Sequence, residues 1–400
     1  MKLTDNVNFI INTLNSKGYD AYVVGGSVRD SLMGRIPEDY DIATSATPQE
    51  IIATFERTIE TGAKFGTVTV VLEDCNLLKQ SYEVTTFRID GEYTDNRKPN
   101  TVEFSRELMS DLSRRDFTMN AMAYHPTTGY VDPFDGQGDI RRGLVRAVGN
   151  PHARFNEDAL RMLRCIRFAT KLGFGIEPDT FCAIVANAEL MANISMERVR
   201  DELLATLVER RVRHAILLKK TRILKHVDSG LYEYMQAHFA QKLGIIKNSS
   251  QDIIVRLTIL FGECDEPSVL LRLLKLSNDQ IAQISALVKA QKLPLLENKY
   301  NIKKHVQTLG HAGFAYLLAV NKAYGFNITH IEILYNRITL NNEPIFLKDL
   351  DINGDTLISL GIATGVEVGK TLAFLHDKVL HNPDLNKEET LLQLLKTESQ

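Results

Sequence analysis

Asp39 and Asp41 stand at i and i+2 in the segment EDYDIAT, and on an extended chain that spacing turns both carboxylates to one face. Their Cα atoms are then about 7 Å apart, so the oxygens can converge on shared hard cations. Mg²⁺ prefers oxygen ligands and takes only one or two protein carboxylates, leaving positions for water and substrate phosphates. Just upstream, GGSVRDSLMG puts Gly25 and Gly26 between an apolar run (Ala21 to Val24) and a short helix from about Ser27. The two glycines let the backbone approach a ligand, and the helix N-terminus offers N–H groups and a favourable dipole to a phosphate. Arg29, on the first turn, could hold a second phosphate oxygen. A phosphate cradle followed by metal-binding carboxylates is equipment for phosphoryl or nucleotidyl transfer. Taken singly, a Gly-Gly pair is only a turn and two aspartates are only solvated charges.

The neighbouring segments must position these groups. Ala21 to Val24 predicts a buried strand, and a second strand is expected to carry both Asp39 and Asp41. Thr47-Pro48 signals a helix start, with the helix over about 49–55. Val68, Val70 and Leu72 alternate as a strand, and SYEVTTF (81–87) predicts another. Glu83 lies on that strand and could supply a third carboxylate; the alternative is a surface glutamate, and the spacing leaves its direction open. Residues 88–102, RIDGEYTDNRKPNTV, cluster Gly, Asp, Asn and Pro without periodicity, so a long loop is expected. Unstructured loops of this length are either functional lids or disordered surface.

GG, a short helix and Asp-x-Asp together resemble the signature of the nucleotidyltransferase superfamily related to DNA polymerase β. In detail, GGxVRDxLxG followed by DYDIAT is similar to the tRNA nucleotidyltransferase and bacterial poly(A) polymerase group. Further on, RRDFTMNA resembles that family's second motif. The resemblance implies that Arg115 and Asp116 lie at the nucleotide's sugar, although a basic-basic-acidic triplet is ordinarily a salt-bridged surface. These three residues are expected to precede a helix carrying Asn120. DPFDG (132–136) matches another family motif, and its chemistry is that of a tight turn. The catalytic part is expected to close near residue 148.

From Asn156 the chain reads as helical. NEDALRMLRCIRFATKLGF has an Asn cap, acids in its first turn and Gly173 at its exit. This predicts one helix with Asp158 and Arg161 as i, i+3 neighbours. They can form a solvated ion pair, or present an acceptor and a donor to the Watson–Crick edge of a base. ED-x-LR-x-x-R-x-x-RF resembles the base-selecting motif of the class containing the bacterial CCA-adding enzymes, in which side chains rather than a template choose C or A. The resemblance assigns base reading to Asp158 and Arg161 and places Arg164 and Arg167 near the nucleotide. ISMERVRDELL (194–204) resembles the motif that braces this pocket. Arg210, Arg211, Arg213, Lys219, Lys220, Arg222 and Lys225 form a run without acids, which serves either as a solvated helix face or as a track for RNA phosphates. Leu293-Pro294 and residues 341–344 mark breaks between amphipathic helices. Gly354, Gly361, Gly365 and Gly369 are expected at helix junctions, and His376-Asp377 on a helix surface.

The 400 residues carry a net charge of −3, with 44% hydrophobic and 24% charged residues. That balance argues against indiscriminate nucleic-acid binding and requires any RNA contact to be local. Four scattered cysteines, at 75, 165, 182 and 264, without a CxxC pair suit reduced thiols rather than a disulfide frame or a zinc site. No secretory signal or membrane-length apolar run is present. A cytoplasmic enzyme with no obligatory protein partner is expected.

The expected fold is α+β. A polymerase-β-like nucleotidyltransferase head with a short mixed sheet (1–148) precedes an all-helical neck for base selection (149–205), body (206–300) and tRNA-binding tail (301–400). The resemblance implies template-independent addition of CCA to the 3′ end of tRNA from CTP and ATP, with Mg²⁺ on Asp39 and Asp41. An A-adding enzyme working with a separate CC-adding partner shares these motifs. CC-adding relatives lack the loop at 88–102. Bacterial poly(A) polymerases typically carry a strongly basic C-terminal extension that is missing here. A non-catalytic RNA-binding relative is disfavoured by intact Asp39, Asp41, Arg115, Asp158 and Arg161.

Overall fold

The computed structural model describes residues 1–73, 78–91, 93–94, 98–99 and 102–398. Cys75 and parts of the segment 88–102 lie outside the described residues. The chain divides into two compact units, residues 1–240 and 241–400.

The first unit opens with helix α1 (Asp5–Ser16), whose apolar residues Val7, Ile10, Ile11 and Leu14 recur at helical spacing and are buried. Strand β1 (Ala21–Val24) follows, then the glycine turn, α2 (Gly26–Leu32), β2 (Asp41–Thr44) and α3 (Pro48–Thr54). Thr47 and Glu50 form a reciprocal capping box at the head of α3, with Pro48 in its first turn, as the Thr-Pro signal predicts. Strands β3 (Thr58–Gly62), β4 (Thr67–Glu73) and β5 (Lys79–Thr86) complete one flank of the sheet. Beyond them come β6 (Arg88–Asp90), β7 (Tyr93–Thr94), β8 (Lys98–Pro99), β9 (Val102–Phe104) and α4 (Leu108–Ser113), then β10 (Ala123–His125), β11 (Gly129–Val131) and α5 (Gly136–Arg142). The seven-stranded sheet runs β11-β10-β1-β2-β5-β4-β3. Only β2 and β5 pair in parallel, and every other neighbouring pair is antiparallel. One face packs on α1 and α3 through Val7, Ile10, Leu14, Val23, Ile42, Ile51, Val68 and Val84. The other face is closed by Val24, Ala43, Phe87, Leu112 and Ala123.

Two expectations about the strands of the head need correction. Asp39 precedes β2 rather than lying on it, since the ladder with β1 ends at Val24↔Asp41. β1 itself stops there because the chain turns at Gly25, and the ladder with β5 begins only at Ile42↔Val84. The segment 88–102 is also more than a loop. β6 pairs antiparallel with β9 (Arg88↔Phe104, Asp90↔Val102), and β7 pairs with β8. RID and VEF are short β-favouring stretches, and the turn-forming residues that mask them in sequence lie between them.

The helical part of this unit contains α6 (Pro151–Glu157), α7 (Leu160–Leu172), α8 (Pro178–Ala186) and α9 (Met196–Leu207). The single helix expected from Asn156 is two helices broken at Asp158, which is extended (φ −139°, ψ 104°). Its Oδ1 accepts a hydrogen bond from the Leu160 N–H at 3.1 Å, the kind of local bond by which Asp favours helix starts over helix interiors. Asn150, not Asn156, caps α6. Gly173 ends α7 at φ +74° as expected. Likewise, Thr118–Asn120 is a single 3₁₀ turn rather than a helix.

The described residues of the second unit form helices and the turns between them. Breaks fall at 292–298 and 341–346, on the Leu293-Pro294 and Asn341–Pro344 signals. Its terminal core gathers Leu350, Ile352, Leu357, Leu375, Val379 and Leu391. Gly369 lies inside the helix Val366–His381 rather than at a junction. His376 is buried, not on the surface, because it shares a helix face with Leu375 and Val379 and its ring contacts the Ile345 carbonyl at 2.9 Å. Among the described residues no helix is long and apolar enough to cross a membrane.

Candidate active site

The glycine turn sits between two charges. Gly25 has φ +73° and ψ −131°, a conformation that side chains disfavour. A Cβ there would lie 3.0 Å from Arg115 Nη1 and 3.8 Å from Asp41 Oδ2. Arg29 is buried and already engaged: Nε and Nη2 donate to Asp30 at 2.9 and 3.0 Å, and Nη1 donates to Asn120 Oδ1 at 2.7 Å. It lines the same open cavity of about 440 Å³ as Gly25, Gly26, Asp41, Arg114, Arg115, Asp116, Asn120, Asp158, Arg161, Arg164 and Phe168.

Asp41 also borders a second cavity, of about 750 Å³, together with Asp39 and Glu83. The direction of Glu83, open in the sequence, follows from the parallel register. Ile42 pairs with Val84, both are buried, and the residues one step back, Asp41 and Glu83, are exposed. Burial raises the Asp41 pKa, Arg115 opposes that rise, and the Asp39 charge adds to it. Part of Asp41 still reaches solvent, so the group is wet along one edge and enclosed on the other. Among the described residues no three His, Cys, Asp or Glu side chains form a metal site on their own. What the cavity does offer is three carboxylates, Asp39, Asp41 and Glu83, bordering one space. That suits a cation which keeps most of its ligands for water and phosphate oxygens.

The RRD triplet bridges the head and the helices behind it. Asp111 of α4 is completely buried and accepts from Arg114 at 2.6 Å and Arg115 at 2.9 Å. Asp116 accepts through Oδ1 from the Phe117 N–H (2.9 Å) and Asn120 Nδ2 (3.2 Å), and through Oδ2 from Arg164 Nε and Nη2 (3.0 and 2.9 Å). Burial alone would raise the Asp116 pKa, but the Arg164 guanidinium and these hydrogen bonds outweigh it and hold the carboxyl below its ordinary value.

Asp158 and Arg161 reach the cavity from the bend between α6 and α7 and from the first turn of α7. Arg161 is buried; its Nη1 donates to the Arg154 carbonyl (3.0 Å) and to Glu157, and its Nη2 to the Arg114 carbonyl (3.1 Å). Asp158 Oδ2 accepts from Arg198 Nη2 of α9 at 3.0 Å. Arg164 and Arg167 share Glu202 of α9, at 3.7 and 2.6 Å, and the Phe168 ring, at 5.4 and 4.7 Å from its centroid. Eight of the nine residues assigned to the nucleotide thus line one cavity. Arg167 does not, and faces Glu202 instead. Sequence spacing and motif resemblance give no nucleotide-site role to Asn120, Phe168, Asp111, Glu157, Arg198 or Glu202. Arg198 and Glu202 had a signal in the bracing motif, whereas Asp111 had none beyond its spacing of three and four from the arginines.

The basic run folds into short turns, Val212–Ile216, Leu217–Lys220 and Ile223–His226, rather than one helix face. Arg210, Arg211, Arg213, Lys220, Arg222 and Lys225 are exposed. Lys219 is half-buried and donates to the Gln236 carbonyl at 2.6 Å. Arg211 packs over the end of α7, its Cδ 2.5 Å from where a Cβ on Gly173 would sit.

Residues 21–146 match the poly A polymerase head domain family. Residues 173–234 match a family described as a probable RNA and SrmB-binding site of polymerase A. Residues 247–395 match one described as a putative tRNA nucleotidyltransferase domain 2. The CCA-adding enzyme of Ligilactobacillus salivarius is 34% identical over 402 residues, spanning 96% of this chain and 94% of its own length. That of Geobacillus thermodenitrificans is 54% identical over 194 residues, 48% of this chain and 47% of its own. The crystal structure of the Bacillus stearothermophilus CCA-adding enzyme in complex with CTP matches with a TM-score of 0.84 and 33% identity, covering 99% of this chain and 98% of that one.

Proposed function

This chain belongs to the CCA-adding enzyme family, and from that premise we propose that it adds CCA to the 3′ end of tRNA from CTP and ATP without a template. The observation that carries the reading is the cavity that Gly25, Asp41 and Arg115 share with Asp158 and Arg161. One end offers a glycine turn, a guanidinium and a carboxylate, as a triphosphate requires, and the other offers a carboxylate beside a guanidinium, as a base edge requires. Asp39 and Asp41 would hold divalent cations, read here as Mg²⁺, which supply a more acidic 3′ hydroxyl and a neutralised pyrophosphate leaving group. Glu83 supports the pair from β5. Gly25 and Gly26 admit the phosphates, and Arg29, anchored by Asp30 and Asn120, forms the positive wall behind them. Arg115 faces the same turn, while Asp116 acts by fixing Arg164 and Asn120 beside the sugar. Asp158 accepts from the amino group of C or A, and Arg161 donates to the adjoining ring nitrogen. Arg167 steadies Glu202 and with it Arg164.

We divide the chain into a head (1–148), a neck (149–205), a body (206–300) and a tail (301–400), with tRNA held by the helical parts. The boundary between compact units at 240/241 falls inside this body. With tRNA as substrate, the reaction belongs in the cytoplasm.

The test is to give the purified protein tRNAs that lack CCA, carry the first C, or carry CC, with each nucleotide alone. Full CCA addition predicts C on the first two substrates and A on the third. Extension of the CC-ending tRNA alone would identify an A-adding enzyme, and long A tracts would identify a poly(A) polymerase.

The exposed basic run supports an RNA track, as does its place within the match to the RNA-binding family. Arg210→Glu with Arg213→Glu is expected to weaken tRNA binding and to reduce the salt slope of log K by roughly one to two. CTP binding should be unchanged. Arg211 is left intact because its packing on Gly173 would confuse the result. An unaltered slope in a filter-binding titration against salt would make these arginines a solvated surface only.

A further inference from the structure

Asp111 has no part in the chemistry described above, yet it is completely buried and divides its two oxygens between two arginines of the cavity. Oδ1 accepts from Arg114 Nε and Nη2 at 3.0 and 2.6 Å, and Oδ2 from Arg115 Nε and Nη2 at 3.3 and 2.9 Å. A carboxylate with no solvent access is costly unless paired, and its two side-on arginine pairs supply that compensation. Among the described residues Asp111 is the only carboxylate at ion-pair distance from the Arg115 guanidinium, so the orientation of that guanidinium depends chiefly on this pair.

That orientation matters at the reaction end of the cavity. With Nε and Nη2 turned to Asp111, Nη1 points away from it. Nη1 lies 3.4 Å from the Asn120 carbonyl and 3.0 Å from where a Cβ on Gly25 would be, with Asp41 Oδ2 nearby. Arg114 links the same carboxylate to the other end, since its backbone carbonyl accepts from Arg161 Nη2 at 3.1 Å. One buried acid of α4 therefore holds the guanidinium at the phosphate turn and the side chain of the residue whose carbonyl receives the base-facing arginine.

We propose that Asp111 is a positioning residue for nucleotide binding, acting through Arg115 at the phosphate end and through Arg114 at the base end. The proposal rests on the nucleotidyl-transfer reading of this cavity. Asp111→Asn keeps the shape but removes the charge and one acceptor. It is expected to lower kcat/KM for both CTP and ATP by roughly ten- to a hundredfold, the range for losing hydrogen bonds to charged groups.

A double-mutant cycle separates positioning from simple stability. If Asp111 acts through the two arginines, Asp111→Asn costs clearly less on the Arg115→Ala background than alone, since only the Arg114 route remains, and CTP affinity without tRNA falls in parallel. If Asp111 only supports the fold, the two losses multiply, CTP affinity of the folded fraction is unchanged, and the proposal is overturned. Should Asp111→Asn fail to fold, Asp111→Glu, which keeps the charge one methylene away, is read in the same cycle with the same two outcomes. The wild type is assayed first on tRNA lacking CCA. Absence of incorporation there would count against the reaction itself, whereas an active wild type with an additive cycle counts against Asp111 alone.

Discussion

Asp41→Ala or Asp39→Ala is expected to abolish addition of both C and A, by about a thousandfold or more, while the protein still folds. Metal-ion stabilisation of a transition state is worth several kcal/mol, and each 1.36 kcal/mol is about tenfold in rate. Both nucleotides are lost together because the carboxylates serve every addition, whichever base is selected. Stability should move the other way. The Asp41 pKa is raised, chiefly by burial and further by Asp39, so its ionised form is disfavoured in the fold. That penalty is absent below the unfolded pKa and complete above the raised folded one, hence present at neutral pH. Asp41→Asn removes it, so the variant should melt at or above the wild-type temperature in chelator, and added Mg²⁺ should raise the wild-type melting temperature more than the variant's. Near-normal incorporation by either alanine variant in Mg²⁺ would show that these carboxylates are not the metal ligands.

What could be read ahead of the structure was local. Gly25, Gly26 and Asp41 are separated by one short helix, and spacing alone suffices to bring a glycine turn and a carboxylate together. The capping box at Thr47 and Glu50 and the exit at Gly173 are likewise written within one turn of chain. What escaped was set by distant partners. Arg29 is turned by Asn120, 91 residues away, and no periodicity carries that information. Glu83 faces the aspartates because β2 and β5 pair in parallel at Ile42↔Val84, a register that neither strand specifies alone. The break at Asp158 is a competition between a helical apolar stripe and one side-chain bond to the Leu160 N–H. The stripe is visible at a glance, but the bond prevails at this position, aided by Arg198 drawing the other oxygen toward α9. His376 looked exposed for the opposite reason, since its polarity said surface while its helix position put it between Leu375 and Val379 in the core.

The Asp158 bend sharpens the expectation for base choice. An ionised Asp only accepts hydrogen bonds and an Arg only donates them. Cytosine and adenine each offer an amino donor beside a ring-nitrogen acceptor, which complements Asp158 and Arg161. Uracil and guanine present a carbonyl where Asp158 needs a donor, so two acceptors would meet. A mismatch of that kind costs roughly 1–3 kcal/mol, about ten- to a hundredfold in selectivity. Both Asp158 oxygens already accept one bond from the protein, from the Leu160 N–H and from Arg198, and a carboxylate has lone pairs left for a base. Asp158→Asn has a single acceptor oxygen for those two donors, so its amide nitrogen must turn away from one of them. If it gives up Arg198 and keeps the Leu160 N–H, the helix start survives and an N–H donor becomes available to a carbonyl. Incorporation of U or G should then rise relative to C and A by roughly tenfold or more. Arg198→Ala, which leaves the Asp158 side chain unaltered but loosely held, should instead slow C and A together without admitting U or G. Single-turnover kinetics with all four nucleotides on one tRNA lacking CCA distinguish the two variants. Equal slowing of all four nucleotides by Asp158→Asn would make the bend a structural brace and move base selection elsewhere in the cavity.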